Sequence, residues 1–130
     1  FFGDAFLLSF QEKEDDNFAS VRNRLEIASG RIRRRSTDYL AYALLDSIVD
    51  YYYPILDHIE EQINGVEASI LSEPTQDDKN TIHQLKRKLL TLRKAIVPLR
   101  EAVSRFSRLD SPFVNEETLV FIRDLYDHVV

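Results

Sequence analysis

Between Thr37 and Ser72 apolar residues return every three or four positions, at Leu40, Leu44, Ile48, Tyr51, Ile55, Ile59, Ile63, Val66 and Ile70. This is a helical period, and it predicts one helix over 37–72 of about ten turns. At 100° per residue the acids Asp38, Asp46, Asp50, Asp57, Glu60, Glu61 and Glu67 fall within an arc of about 140° on the opposite side. Ser36 or Thr37 can cap the start, with Asp38 in the first turn where a negative charge suits the helix dipole. Pro54 cannot donate to the carbonyl of Asp50, which predicts a kink there. Gly65 weakens the distal part, and Ser72-Glu73-Pro74 ends the helix.

Thr75 followed by Asp78 has the spacing of a capping box and predicts a second helix over about 76–108. Its spine, Ile82, Leu85, Leu89, Leu92, Ile96, Leu99, Val103 and Phe106, alternates steps of three and four, a heptad seam. The short connection predicts that the two helices fold back as a long antiparallel hairpin, with Pro98 bending the second arm. Asp110-Ser111-Pro112 breaks that arm. Asn115, followed by Glu116 and Glu117, reads as the cap of a third helix over 115–130, with Leu119, Ile122, Leu125 and Val129 on one face. No stop signal closes it, so it is expected to continue beyond this chain.

The first residues read differently. Ala5–Glu12 is a short apolar run with Phe6, Leu8 and Phe10 on one side, and it suits a strand. A lone strand cannot bury its face, so it is expected to be the last strand of a truncated α/β domain, residues 1–14. Residues 15–130 then form the helical region, and the fold class is mainly α. Asp15, Asp16 or Asn17 can cap a short helix carrying Val21, Leu25 and Ile27 and ending at Gly30. The RIRRR run after it reads either as a solvated helix end with cations near the dipole, or as a contact for anions or membrane headgroups.

Charge sharpens this picture. From Thr37 to Glu73 there are eight acids and no base, whereas Thr75 to Leu109 carries nine Lys or Arg against three acids. An acidic arm is expected to lie against a basic arm, with charge selecting register and the apolar seam supplying stability. The net charge of −5 and the acidic companion arm argue against nucleic acid. The absence of Cys excludes disulfides and thiolate metal sites but leaves carboxylate and imidazole ligands. No run is apolar enough to span a bilayer.

Candidate chemistry is confined to carboxylates and histidines at helical spacing. Asp46 and Asp50 lie one turn apart in the first arm, and Asp124 and His128 one turn apart in the third helix, with Asp127 adjacent. Two such pairs meeting in space could offer oxygen and imidazole ligands to a divalent ion; singly, each reads as a solvated face. His58 and His83 read as exposed or capping residues. Nothing pairs a nucleophile with a base, builds a phosphate loop from the three glycines, or repeats the Glu-x-x-His of di-iron bundles, so an enzyme is not expected.

In order and spacing, YALLDSIVDYYYPILDHIEEQI, HQLKRKLLTLRKAIVPLREAVSR and FIRDLYDHVV resemble the CorA family of magnesium and cobalt channels. FLLSFQE is similar to the final strand of that family's cytoplasmic α/β domain. The resemblance implies a homopentameric divalent-cation channel of the cell membrane, with this segment on the cytoplasmic side as the funnel hairpin and the start of the stalk helix. The family's membrane spans and Gly-Met-Asn pore signature are not in this sequence, so the segment would carry sensing and gating. It implies Mg2+ or Co2+ as transported and regulatory ion, with Asp46 and Asp124 as ligands between subunits and His128 acting through water. Asp50 and Asp127 are further candidates. A zinc-transporting member of the same family is a close variant. From the residues alone, a soluble helical scaffold or adaptor that binds proteins through the heptad hairpin stays open.

Overall fold

The structure is a computed structural model that describes residues 1–12, 14, 17–27 and 30–130. Their contacts divide the chain into two compact units, Phe1–Tyr51 with Arg100–Val130, and Tyr52–Leu99. The architecture is mainly helical. Among the described residues the helices are α1 (Ala19–Glu26), α2 (Thr37–Asp50), α3 (Tyr52–Ser72), α4 (Gln76–Phe106) and α5 (Glu116–Val129), with a 3-10 turn over Arg31–Arg33.

In the first unit the expected strand over 5–12 does not form. Among the described residues, Phe2 and Leu7 make a single antiparallel bridge. The N–H of Gly3 donates to the Phe6 carbonyl at 2.9 Å and that of Leu8 to the Phe1 carbonyl at 2.7 Å. Lacking a neighbouring strand, the segment satisfies part of its backbone by turning on itself, and Phe6, Leu8 and Phe10 stay exposed. Phe2 is tied down, its ring centre 5.7 Å from that of Phe106.

The cap of α1 is Phe18, without a side-chain bond. Asn17 does not cap it; its carbonyl instead accepts from the Ser47 hydroxyl at 2.9 Å. Asp15 and Asp16, the other caps considered, lie outside the described residues. The helix ends at Glu26, short of Gly30, which takes the positive φ of 93° that favours glycine. Val21 is buried as its spacing predicts, but Ile27 is exposed and Ile32, inside the arginine run, takes a core place. That run is not a helix end. It makes its own 3-10 turn because burying Ile32 with Val21, Tyr39 and Ala43 requires a tight local fold.

The helix expected over 37–72 is two helices that meet at Tyr51. Pro54 removes the bond to the Asp50 carbonyl, and Asp50 is the last residue of α2. In contrast α4 runs without a break through Pro98.

The second unit contains α3 and the part of α4 up to Leu99. Ile59, Leu85 and Leu92 are buried together, with Tyr52, Val66 and Ile96 packed around them. The seam is only partly covered: Ile82 and Leu89 are 46% and 41% exposed, because two helices alone shield one side of each other. The expected pairing of acidic with basic arm also changes. Among the described residues no ion pair joins α3 to α4, and the polar link is Lys88 Nζ donating to Gln62 Oε1 at 2.8 Å. The reason is geometric. On α3, Asp57 and Glu61 lie opposite the buried Ile59 and point away from α4, while Glu60 and Glu67 flank the apolar stripe.

The capping box at the head of α4 forms as its spacing predicts. The Thr75 N–H and hydroxyl donate to Asp78 Oδ2 at 2.7 and 2.8 Å, and the Asp78 N–H donates back to Thr75 Oγ1 at 3.2 Å. Bonds from the Thr75 backbone, the Thr75 hydroxyl and the Ser69 hydroxyl hold the Asp78 carboxyl below its ordinary range. Thr75→Ala is expected to lower stability by about 1 kcal/mol. Urea unfolding followed by helical circular dichroism checks this, and an unchanged midpoint would refute it.

Candidate metal centre

The candidate ligands all belong to the first unit, on α2 and α5, which pack against each other. Their alignment starts from a buried latch. Asp38, in the first turn of α2, is fully buried. Its Oδ2 accepts the Asn115 backbone N–H at 2.7 Å and the Asn115 side-chain amide at 3.1 Å, while Oδ1 accepts the Tyr39 N–H at 2.8 Å. The Ser36 hydroxyl also donates to Oδ1, and Thr118 adds a further side-chain hydrogen bond. Burial pushes this carboxyl up, but the bonds from Asn115, Ser36, Thr118 and Tyr39 together hold it below its ordinary value. Asn115 stands at the predicted cap of α5, yet its amide also donates to Ser36 Oγ at 2.6 Å. One asparagine therefore starts α5 and fastens it to α2.

The arginine run adds a second fastening. Arg35 pairs with Glu117 at 2.9 Å, and its guanidinium lies 5.2 and 5.3 Å from the ring centres of Phe121 and Tyr39. Arg31 stacks on Phe121 at 5.9 Å. Two of the four arginines thus serve packing within the unit, through cation–π contact and an ion pair at the acidic first turn of α5. Below them Ile122 and Leu125 are almost completely buried, which sets the rotation of α5 about its axis.

With both helices so held, Asp46 is half-buried and Asp50, Asp124, Asp127 and His128 are exposed. Burial and the neighbouring charge of Asp50 push the Asp46 carboxyl above its ordinary value, against the Tyr42 hydrogen bond, Arg24 and His128. The Tyr42 phenol is raised strongly, first by burial and then by Asp46, with Tyr39 and Asp124 contributing, so it keeps its proton and donates to Asp46. Tyr42 therefore marks the place where Asp46 and Asp124 act on one group. The structure brings Asp46, Asp50, Asp124 and His128 into one electrostatic neighbourhood. Asp127 makes no hydrogen bond or ion pair among the described residues and stands outside it.

Tyr42 and Arg24 escaped the sequence reading. Tyr42 is one turn before Asp46 and its spacing could have exposed it; Arg24 lies on another helix and only tertiary packing places it. Among the described residues no group of three or more His, Asp or Glu is arranged to hold a metal ion. The donor set is nevertheless that of a hard cation that keeps most of its waters and takes one or two carboxylates. The raised Asp46, pressed by Asp50, is a carboxylate that a nearby cation would relieve.

The sequence description of the CorA-like Mg2+ transporter protein family matches residues 1–130. The chain is 42% identical over 124 residues to the cobalt/magnesium transport protein CorA of Thermotoga maritima, covering 95% of this chain and 35% of that protein. It is 32% identical over 130 residues to YfjQ of Bacillus subtilis, named as a candidate metal ion transporter, covering 100% of this chain and 40% of that protein. It is also 25% identical over 105 residues to the magnesium transporter ALR1 of Saccharomyces cerevisiae, covering 78% and 12%. The chain thus spans well under half the length of these relatives, which are named for transport and not for a catalysed reaction. Among the described residues no helix is long and apolar enough to cross a membrane. On the match across its whole length, this chain belongs to the CorA-like Mg2+ transporter family.

Proposed function

We propose that this chain is the cytoplasmic cation-sensing and gating segment of a CorA-type divalent metal ion transporter, with Mg2+ or Co2+ as both cargo and regulatory ion. α3 and α4 would form the hairpin of the funnel and α5 the start of the stalk. The observation that supports the reading is the packing of α2 on α5, with Asp50 and His128 acting on the half-buried Asp46 and Asp124 acting on Tyr42 beside it. Such a half-site needs donors from another copy. In a ring of copies, a hydrated cation held by Asp46 and Asp124 of facing subunits would bridge them and favour a closed, symmetric state. With the ion scarce, the same carboxylates repel and loosen the ring. The membrane portion would lie in the part of the relatives that this chain does not cover.

The test uses the full-length parent. Mg2+ is expected to protect it from limited proteolysis, and Asp124→Ala is expected to raise the protecting concentration at least about tenfold, the loss of a single charged contact. Undiminished Mg2+ protection in the variant would sink the assignment.

A further inference from the structure

The end of α4 carries more positive charge than the fold uses. Arg100, Ser104 and Arg108 are spaced by one turn, with Arg108 just past the last turn, and Glu101 and Arg105 form the adjacent row. Together with the half-buried Tyr126 of α5 they line an open cavity of about 390 Å3. That is within the range of small-ligand sites, about 300–1,000 Å3. All six residues belong to the first unit.

A cation at a helix C-terminus ordinarily balances the dipole, equivalent there to about half a negative charge. Arg108 fills that role: its Nε donates to the Ser104 carbonyl at 3.2 Å and a terminal nitrogen donates to the Ser104 hydroxyl. Arg100 and Arg105 make no hydrogen bond or ion pair among the described residues, and neither do Glu101 and the Tyr126 hydroxyl. Three guanidinium groups against one carboxylate and the dipole leave an excess of about one and a half positive charges in one cavity. A phosphate monoester matches this, with about 1.5 to 2 negative charges near neutral pH. The donors match as well, since guanidinium forks fit pairs of phosphate oxygens and the Tyr126 hydroxyl can donate to a third. Glu101 opposes any anion there and trims the site to the charge of a single phosphate group.

We propose that this cavity binds the phosphate group of a phosphate monoester. Arg100 and Arg105 pair with its oxygens, and Arg108, already anchored on Ser104, adds a donor that costs little further ordering. The bound group ties the end of α4 to α5 through Tyr126. The same dianion is offered by a soluble phosphate ester and by a lipid headgroup that ends in phosphate. The site shares no residue with the cation ligands proposed above and does not rest on that reading.

The experiment places the full-length parent in phosphatidylcholine nanodiscs with EDTA and titrates inorganic phosphate calorimetrically at constant ionic strength. Saturable binding is expected, with none for sodium nitrate. Arg100→Gln with Arg105→Gln should raise the dissociation constant at least about tenfold, and Glu101→Gln should lower it about threefold, a gain that misfolding cannot produce. Lys79→Gln with Lys94→Gln removes the same charge from α4 in the second unit and should leave the constant unchanged. No saturable binding, an equal response to nitrate, equal losses in the two double variants, or no gain in Glu101→Gln would each overturn the proposal. Nanodiscs containing phosphatidic acid separate the two sources. A lipid headgroup that occupies the site competes and weakens phosphate binding, whereas an unchanged constant assigns the site to soluble esters. EDTA keeps divalent ions out, so failure here leaves the cation-sensing reading untouched, and failure of that reading leaves this one standing.

Discussion

Asp38→Ala is expected to destabilise the first unit by about 3 kcal/mol, since it strips hydrogen-bond acceptors from several buried or half-buried donors, each costing about 1–3 kcal/mol when unsatisfied. The backbone N–H groups of Tyr39 and Asn115 cannot rotate away, and Thr118 is itself 1% exposed, so none recovers full hydration. Asp38→Asn is expected to cost less, because its amide oxygen still accepts part of that set. The pH dependence has a definite sign. The folded carboxyl is held below its ordinary value of 3.8, so its contribution to stability is complete above that value and is lost as pH falls through the folded pKa. Urea unfolding at pH 7 should therefore separate parent and Asp38→Asn more widely than unfolding in strong acid. A gap that stays constant across that range, or a cost for Asp38→Ala under about 1 kcal/mol, would contradict the latch.

Asp46→Asn is expected to act in opposite directions on stability and on cation response. The folded Asp46 carboxyl is raised by burial and by Asp50, so as an anion it opposes folding. That opposition is absent below the ordinary carboxylate pKa and complete above the folded one. Without divalent ions the Asn variant should melt at or above the temperature of the parent at pH 7, and the gain should vanish in strong acid. In the full-length parent, the same variant should need at least about tenfold more Mg2+ for protection from proteolysis. A destabilised variant that keeps its Mg2+ response would make Asp46 a packing residue and remove it from the ligand set. A residue whose charge costs stability alone and is relieved by a cation is what a sensor at equilibrium with that cation requires.

The elements were legible to different depths. Period alone placed α2, α3, α4 and α5, because long amphipathic stretches sum many weak preferences. Pro54 located the break at Asp50, a matter of one missing N–H and one clash. The N-terminal run failed as a strand because strand formation depends on a partner, and apolar alternation at Phe6, Leu8 and Phe10 says nothing about whether one is present. The arginine run failed as a helix end because the deciding residue was Ile32, an apolar side chain hidden among cations. For the candidate site, the one-turn spacings of Asp46 with Asp50 and of Asp124 with His128 were visible along the chain. That their two helices pack together was not, since it depends on Asn115 and Asp38, 77 residues apart, joining α5 to α2.

By itself the sequence determined the local terms: helix periods, the Thr75–Asp78 cap, the proline break and the segregation of acids to α3 and bases to α4. Each depends on residues within a turn or two of one another, where covalent spacing fixes geometry. Tertiary structure alone decided which charged groups are spent inside the fold and which stay available. Asp38, Arg31 and Arg35 are consumed in holding α5 to α2, while Glu60, Glu67, Lys86 and Arg93 make no hydrogen bond or ion pair among the described residues. That division follows from the rotation of each helix about its axis, set in the first unit by the burial of Val21, Ile32, Ile122 and Leu125 and in the second by that of Ile59, Leu85 and Leu92.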